Sequence, residues 1–277
     1  MKPKIWISID AKPEIDLTEL FPFVKFDGID NNSPVLTNSY QDTNVNDGSI
    51  FNYASFGKNI VNAKLDMSFG TYYDYKSKRQ QLYNFFMQKK IFRIRTDAEP
   101  MLISFLRPVG FNIDPFQDGA GNCFIEIPFE NPSGYKFSRF DSLNQIDSWD
   151  EFPLGWELPS MESEDFHYVN KNSFTVLNPS GVPIDPYASH HDLKIIFHYD
   201  GGIFSLVNKT NGSFYEIKMP SRGNDDFILD GVNTFVNGQL NNQSTNFGNI
   251  KLEPGINELE ASTTIKDVRF KFPFIYV

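Results

Sequence analysis

Few residues in this 277-residue sequence are of the types that do chemistry, and their spacing narrows the options further. His190, His191 and Asp192, with His198 downstream, form the only histidine-rich cluster. A metal ion would need them to converge with a further carboxylate. If 193–199 is a strand, His198 shares a face with Lys194, opposite Leu193, Ile195 and Phe197. That pattern reads as surface histidines at the start of a strand. The single cysteine, Cys123, falls in phase with Ile125, Ile127 and Phe129, so it is expected as a buried core thiol. It has no partner for an internal disulfide, and no Cys/His quartet exists for structural zinc. A nucleophile elbow, a phosphate loop and a dinucleotide fingerprint are all missing. Carboxylates are plentiful, yet nothing singles out a pair for glycoside hydrolysis. The sequence thus predicts no catalytic residue, no metal site and no cofactor.

The remaining concentration of charge is basic. Lys76, Lys78, Arg79, Lys89 and Lys90 lie along one predicted helix, and Arg93 and Arg95 occupy alternate positions of the strand after it. Those two arginines share a face opposite Phe92 and Ile94. Three readings stand: a solvated surface, a positive lining for something that carries phosphates, or a salt-bridging seam to a neighbouring subunit. The chain as a whole has a formal charge of −10, which excludes a general nucleic-acid binder.

Strands must position these residues. Phe is the commonest aromatic at 28 residues, and 17 Pro with 18 Gly favour short strands and turns over helical bundles. In the first half, 4–9, 21–26 and 60–69 read as strands. The last is the clearest, with Val61, Ala63, Leu65, Met67 and Phe69 alternating with Asn62, Lys64, Asp66 and Ser68. A helix is predicted over 75–90, with Asp74 as its N-cap and Tyr75, Leu82, Phe85 and Phe86 on one side. Strands follow at 91–95, 101–107 and 122–129, the last two joined by the turn-rich FQDGAGN.

From Asp141 to Asp165 the chain carries only acidic charge, with Trp149 and Trp156 among prolines. This reads either as a solvated tether or as an arm whose tryptophans dock on a neighbour. Eight short strands are then predicted: 173–177, 193–199, 203–208, 213–219, 226–230, 234–237, 249–253 and 265–277. Turn residues at 200–202, 211–212 and 237–238 separate some of them. Short strands without a helix suggest a sandwich or jelly roll. The first residues, MKPKIWISIDAK, alternate and turn polar too soon for a signal segment, and no apolar run approaches a membrane span. A soluble protein made in a reducing cytosol is expected.

One ordered series of short pieces runs through nearly the whole chain. It comprises the FDGID turn at Gly28, DGS at 47–49, FGKNIV at 56–61 leading into an alternating strand, and a helix ending in QKKIFRIR. In the second half come NPSGVPIDP (178–186), LVNKTNGSF (206–214), FILDGVNTFVNG (227–238), LEPGIN (252–257) and an alternating terminal strand. This order resembles the distal tail protein family of siphophages, the baseplate hub proteins at the tip of long non-contractile tails.

The resemblance implies a mainly β protein: an N-terminal belt domain with one short helix over 1–136, an acidic linker or arm over 137–172, and a C-terminal galectin-like β-sandwich over 173–277. It implies a structural virion protein of the phage tail tip, made in the host cytoplasm, and not an enzyme. The belt would form a homo-hexameric ring joining the tail tube protein to the tail-tip hub (tail-associated lysin-like) protein and to receptor-binding proteins. DNA would pass through the ring, and no membrane is involved. The seven basic residues would then be ring contacts or channel-facing, with Trp149 and Trp156 as arm anchors. The alternative is a carbohydrate-binding β-sandwich, a receptor-binding or adhesion module. Against it, Arg269 lies on the terminal strand without the rest of the galectin sugar-binding set, and both tryptophans precede the sandwich.

Overall fold

The computed structural model describes residues 3–10, 12–31, 33–42, 47–115, 117, 119–144 and 166–277. The chain divides into two compact units, 1–136 with Val277 and 137–276. Both are built from antiparallel strands, as a mainly β composition requires.

The first unit contains β1 (Ile5–Ile9), β2 (Ile15–Asp16), the single-turn α1 (Leu17–Leu20), β3 (Val24–Asn31), β4 (Val35–Asp42), β5 (Ser49–Gly57), β6 (Asn59–Ser68), α2 (Tyr72–Phe86), β7 (Phe92–Thr96), β8 (Leu102–Pro108) and β9 (Asn122–Asn131). Seven strands form one sheet in the order β2-β1-β7-β8-β9-β6-β3. The alternation of β6 buries Val61, Ala63, Leu65 and Met67, and its register sets Met67 opposite Cys123 and Leu65 opposite Ile125. Helix α2 contributes Tyr75, Leu82 and Phe86 to the same core. Phe86 lies 6.2 Å from Phe92 and 6.0 Å from Phe129, so rings carried by one helix and two strands interlock. Cys123 is buried as expected, and burial pushes its thiol up to about 11.

Local chemistry moves three sequence expectations. The N-cap of α2 is Thr71, whose hydroxyl accepts the Asp74 amide at 3.2 Å, while the Asp74 carboxylate accepts the Gly70 amide at 2.9 Å. The helix therefore starts one turn earlier than Asp74 suggests and ends at Phe86, leaving Lys89 and Lys90 beyond it. FDGID is no turn: it lies inside β3, where the register shifts between Phe26 and Gly28 and Gly28 takes a φ of 144°. The four-residue α1, capped by the Asp16 side chain, was not foreseen.

The second unit contains β10 (Lys136–Asp141), β11 (His167–Asn178), β12 (Lys194–Gly201), β13 (Phe204–Asn208), β14 (Phe214–Ile217), β15 (Ser221–Arg222), β16 (Phe227–Asp230), β17 (Asn233–Val236), β18 (Gln239–Leu240), β19 (Gly255–Lys271) and β20 (Pro273–Tyr276). Strands follow the order β14-β13-β19-β12-β16-β17-β18, with β11 on β19 and β20 on β10. The long β19 is the spine. It pairs with β11 along most of its length, with β13 through Leu259 to Ala261, and with β12 through Ile265 to Lys271. Phe197, Tyr199, Phe204 and Phe227 stack inside at centroid distances of 4.7 to 6.2 Å.

Residues 249–253 do not form the expected strand. Ile250 and Leu252 are buried, but only one bridge, Ile184 to Leu252, forms there. The Lys251 carbonyl is taken by the side-chain amides of Asn208 and Asn211 at 2.7 and 2.9 Å, which holds the segment out of a ladder. The linker reading of 137–172 meets strand at both ends, in β10 and β11, while 145–165 lies outside the described residues.

Candidate functional site

The basic residues on α2 and β7 do not converge. Arg95 donates from Nε to Glu14 Oε2 at 2.8 Å, and Arg93 donates to Glu14 Oε1. Glu14 reaches them from the residue before β2, across the sheet edge where β2, β1 and β7 are neighbours. The Arg95 guanidinium also lies 3.9 Å from the Trp6 ring centroid. Burial pushes the Glu14 carboxyl up, but the hydrogen bonds and charges of Arg95 and Arg93 outweigh it and hold the group below the usual carboxylate range. Two arginines in phase thus bracket one carboxylate inside the unit.

The helix lysines have local work as well. Lys78 pairs with Asp74 at 2.7 Å and donates to the Ser68 carbonyl at 3.0 Å. Lys90 pairs with Asp10. Arg79 lies over the Tyr75 ring at 5.4 Å and Lys76 over Tyr72 at 5.0 Å. Lys89 is exposed and has no ion-pair partner among the described residues. Trp149 and Trp156 fall outside the described residues.

The feature that sequence reasoning missed is the hairpin of β4 and β5. Among the described residues these strands pair only with each other, which leaves both outer edges of the hairpin without a strand partner there. Both faces are open too: Leu36, Tyr40, Phe51 and Tyr53 are 54 to 62 % exposed. Register separates two characters. Leu36 opposes Phe56, Asn38 opposes Ala54, and Tyr40 opposes Phe51, which puts four large apolar side chains on one face. Tyr40 and Phe51 meet edge to face at 5.9 Å. The other face carries Thr37, Ser39, Gln41 and Ser55 alongside Val35, Ile50 and Tyr53. From Val35 to Gly57 there is no basic residue, and the only acidic ones, Asp42 and Asp47, stand near the turn.

The root of this arm is fixed. Phe56 packs on Tyr135 at 5.7 Å, and Gly134 has a φ of 73°. A Cβ at Gly134 would lie 2.7 Å from the Gly57 carbonyl oxygen, so only glycine lets the backbones approach this closely. A two-stranded hairpin is marginal in water by itself, and unpaired edges invite further strands. The arm has the anatomy of an interaction element.

In the second unit the histidines stay apart from any metal geometry. His198 Nε2 lies 2.8 Å from Asp226 and its Nδ1 3.5 Å from Asp267, which also pairs with His167. His191 is half-buried against the Pro183 carbonyl, and burial lowers its pKa. No group of three or more metal-type ligands converges among the described residues. No helix among them is long and apolar enough to cross a membrane.

Residues 12–131 match the family described as the phage tail protein RIFT-related domain. That segment is similar to a phage tail domain. The match spans α2, the exposed arm and every strand of the first unit's sheet except β1. Both units share the fold of the phage SPP1 Dit protein, described as a paradigm of the hub adsorption apparatus in phages infecting Gram-positive bacteria. That structure has a TM-score of 0.67 at 14 % identity, covering 98 % of this chain and 99 % of the other. Two structures of the phage p2 baseplate in its activated conformation, with strontium and with calcium, give TM-scores of 0.44 and 0.47 at 12 % identity. They cover 98 and 99 % of this chain and 97 and 98 % of theirs. No curated protein sequence matches. The resemblance to the distal tail family read from the sequence therefore holds at the level of domain and fold.

Proposed function

We propose that this protein is a structural hub of a siphophage tail tip, assembling through its first unit into a homo-hexameric ring. The observation that carries the reading is the β4–β5 arm, with an apolar face, no basic charge and two edges that no strand pairs with among the described residues. A second copy of the chain is the occupant that satisfies all three. Each arm covers its apolar face on the next subunit, and repetition of a head-to-tail contact closes a ring. The Arg93–Glu14–Arg95 pairing favours an internal role for those arginines over channel lining. The exposed Lys76 and Lys89 are the basic residues left to ring contacts or to passing DNA.

On this reading the ring joins the tail tube to the tail-tip hub and to receptor-binding proteins, in a virion assembled in the host cytoplasm. The second unit is the docking platform for adhesion proteins, and the acidic segment with Trp149 and Trp156 serves as a tether or as an arm to a neighbour. No catalysis is required. The test is negative-stain imaging and light-scattering mass of the purified chain across concentration. Sixfold rings with a pore wide enough for duplex DNA are expected. A protein that stays monomeric at the highest concentration reached overturns the ring.

A further inference from the structure

Strand β6 runs between two exposed aromatic patches of the first unit. The arm ends at Gly57, just before β6 starts at Asn59, and α2 starts at Tyr72, soon after β6 ends at Ser68. Ten strand residues set the root of the arm about 33 Å from the start of the helix. On the arm, Tyr40, Phe51 and Phe56 are 58, 55 and 38 % exposed; on α2, Tyr72 and Tyr73 are 65 and 86 % exposed. At about 200 Å² per ring, each patch offers about 300 Å² of aromatic surface.

The two patches carry opposite charge at matching spacing. Leu36, Asn38, Tyr40 and Asp42 alternate onto one face of β4, so the exposed Asp42 stands about 7 Å beyond Tyr40. No cation in the arm itself answers it, since Val35 to Gly57 contains none. On α2, Lys76 stands one turn, about 6 Å, beyond Tyr72. Its ammonium lies 5.0 Å from the Tyr72 ring centroid. Lys76 is exposed, whereas Lys78 is taken by Asp74.

We propose that the exposed side of α2 at Tyr72, Tyr73 and Lys76 is the seat of the β4–β5 arm of a second copy. This rests on the ring reading above and names the surface that the arm covers. Tyr40 and Phe51 lie on Tyr72 and Tyr73, and Asp42 meets Lys76. An arm laid on another arm would also cover apolar surface, but it would bring Asp42 no cation. Donor and acceptor are unlike surfaces at opposite ends of β6, which is what a repeated head-to-tail contact requires.

The full chain is made as two single variants, Ala54→Cys in the middle of the arm's apolar face and Ser77→Cys one turn beyond Tyr73. Cys123 is buried, so a short bis-maleimide reaches only the introduced thiols. The two variants mixed should cross-link to each other, and neither should cross-link alone. Lys76→Glu should weaken association about tenfold in sedimentation velocity, and Asp42→Lys added to the same chain should restore most of it. Urea unfolding checks each subunit, and the cross-link decides if a charge variant misfolds. The proposal is overturned by a mixture that does not cross-link, or by a loss that Asp42→Lys leaves unrestored. It is equally overturned by Ala54→Cys linking to itself, which is arm on arm. Rings that keep their mass in Lys76→Glu with Tyr73→Ser overturn this seat and leave the ring standing. A wild type that stays monomeric at every concentration overturns both.

Discussion

Replacing Phe51 by serine should dissolve the proposed ring and leave the subunit folded. Phe51 is 55 % exposed in the isolated chain. A phenylalanine presents about 200 Å², so about 110 Å² is available for a neighbour to cover. At about 25 cal/mol per Å² that cover contributes about 2.7 kcal/mol per contact, roughly 100-fold in association. The change also removes the edge-to-face contact with Tyr40, worth about 1 kcal/mol inside the arm itself. Phe51 lies outside the first unit's core cluster, so the core should be indifferent. Sedimentation velocity across concentration reads the association, and urea unfolding of the same sample reads the subunit. Leu240→Ser, at a 63 % exposed site in the second unit, is the matched control and should leave the mass unaltered. Assembly of Phe51→Ser indistinguishable from wild type would refute the reasoning. So would a loss of more than about 2 kcal/mol in subunit stability, which would make Phe51 a folding residue.

Three further outcomes are expected. Glu14→Gln should cost about 2 kcal/mol at neutral pH by depriving Arg93 and Arg95 of their carboxylate, read by denaturant unfolding. Because the folded pKa of Glu14 is depressed, its contribution is present above its unfolded pKa, about 4.3, and is lost as pH falls through the folded value. The gap between wild type and variant should therefore shrink in strong acid, and a gap independent of pH would contradict the pairing. Gly134→Ala should destabilise by about 1–3 kcal/mol, since it combines a φ of 73° with a Cβ 2.7 Å from the Gly57 oxygen; an unchanged melting curve counts against the close approach. Cys123, buried and with its thiol pushed up to about 11, should resist a thiol reagent until the first unit unfolds; rapid labelling of native protein would put it at the surface.

Legibility followed burial. Strand β6 could be read from Val61 to Met67 because one face is buried and the other wet, and Cys123 took its place by the same rule. The arm escaped because neither of its faces is buried in the subunit. Tyr, Phe, Ser and Asn then alternate without a core to sort them, and such a strand looks like a loop. The start of β19 was hidden for a different reason. Asn257 is fully buried in the apolar phase with Leu259 and Ala261, its side chain bonded to Asn208 and to the Glu253 carbonyl. A polar residue at a core position breaks the period that the eye follows. For the candidate site, the shared face of Arg93 and Arg95 was legible, whereas their neutralisation was not. Glu14 lies about eighty residues upstream, and only the order of strands in the sheet brings it near.

The reach of β19 carries a consequence for how the protein is made. Strands β11, β12 and β13 are all synthesised before the strand that pairs with them, and His167 waits about a hundred residues for Arg269. Contacts so distant in sequence form slowly, because the loop must close before it is rewarded. Until Gly255 to Lys271 leaves the ribosome, the second unit cannot complete its sheet, and three strands hold open edges meanwhile. The second unit should thus fold late and nearly all at once, so a chain stopped before Gly255 would be an aggregating fragment, not a smaller domain.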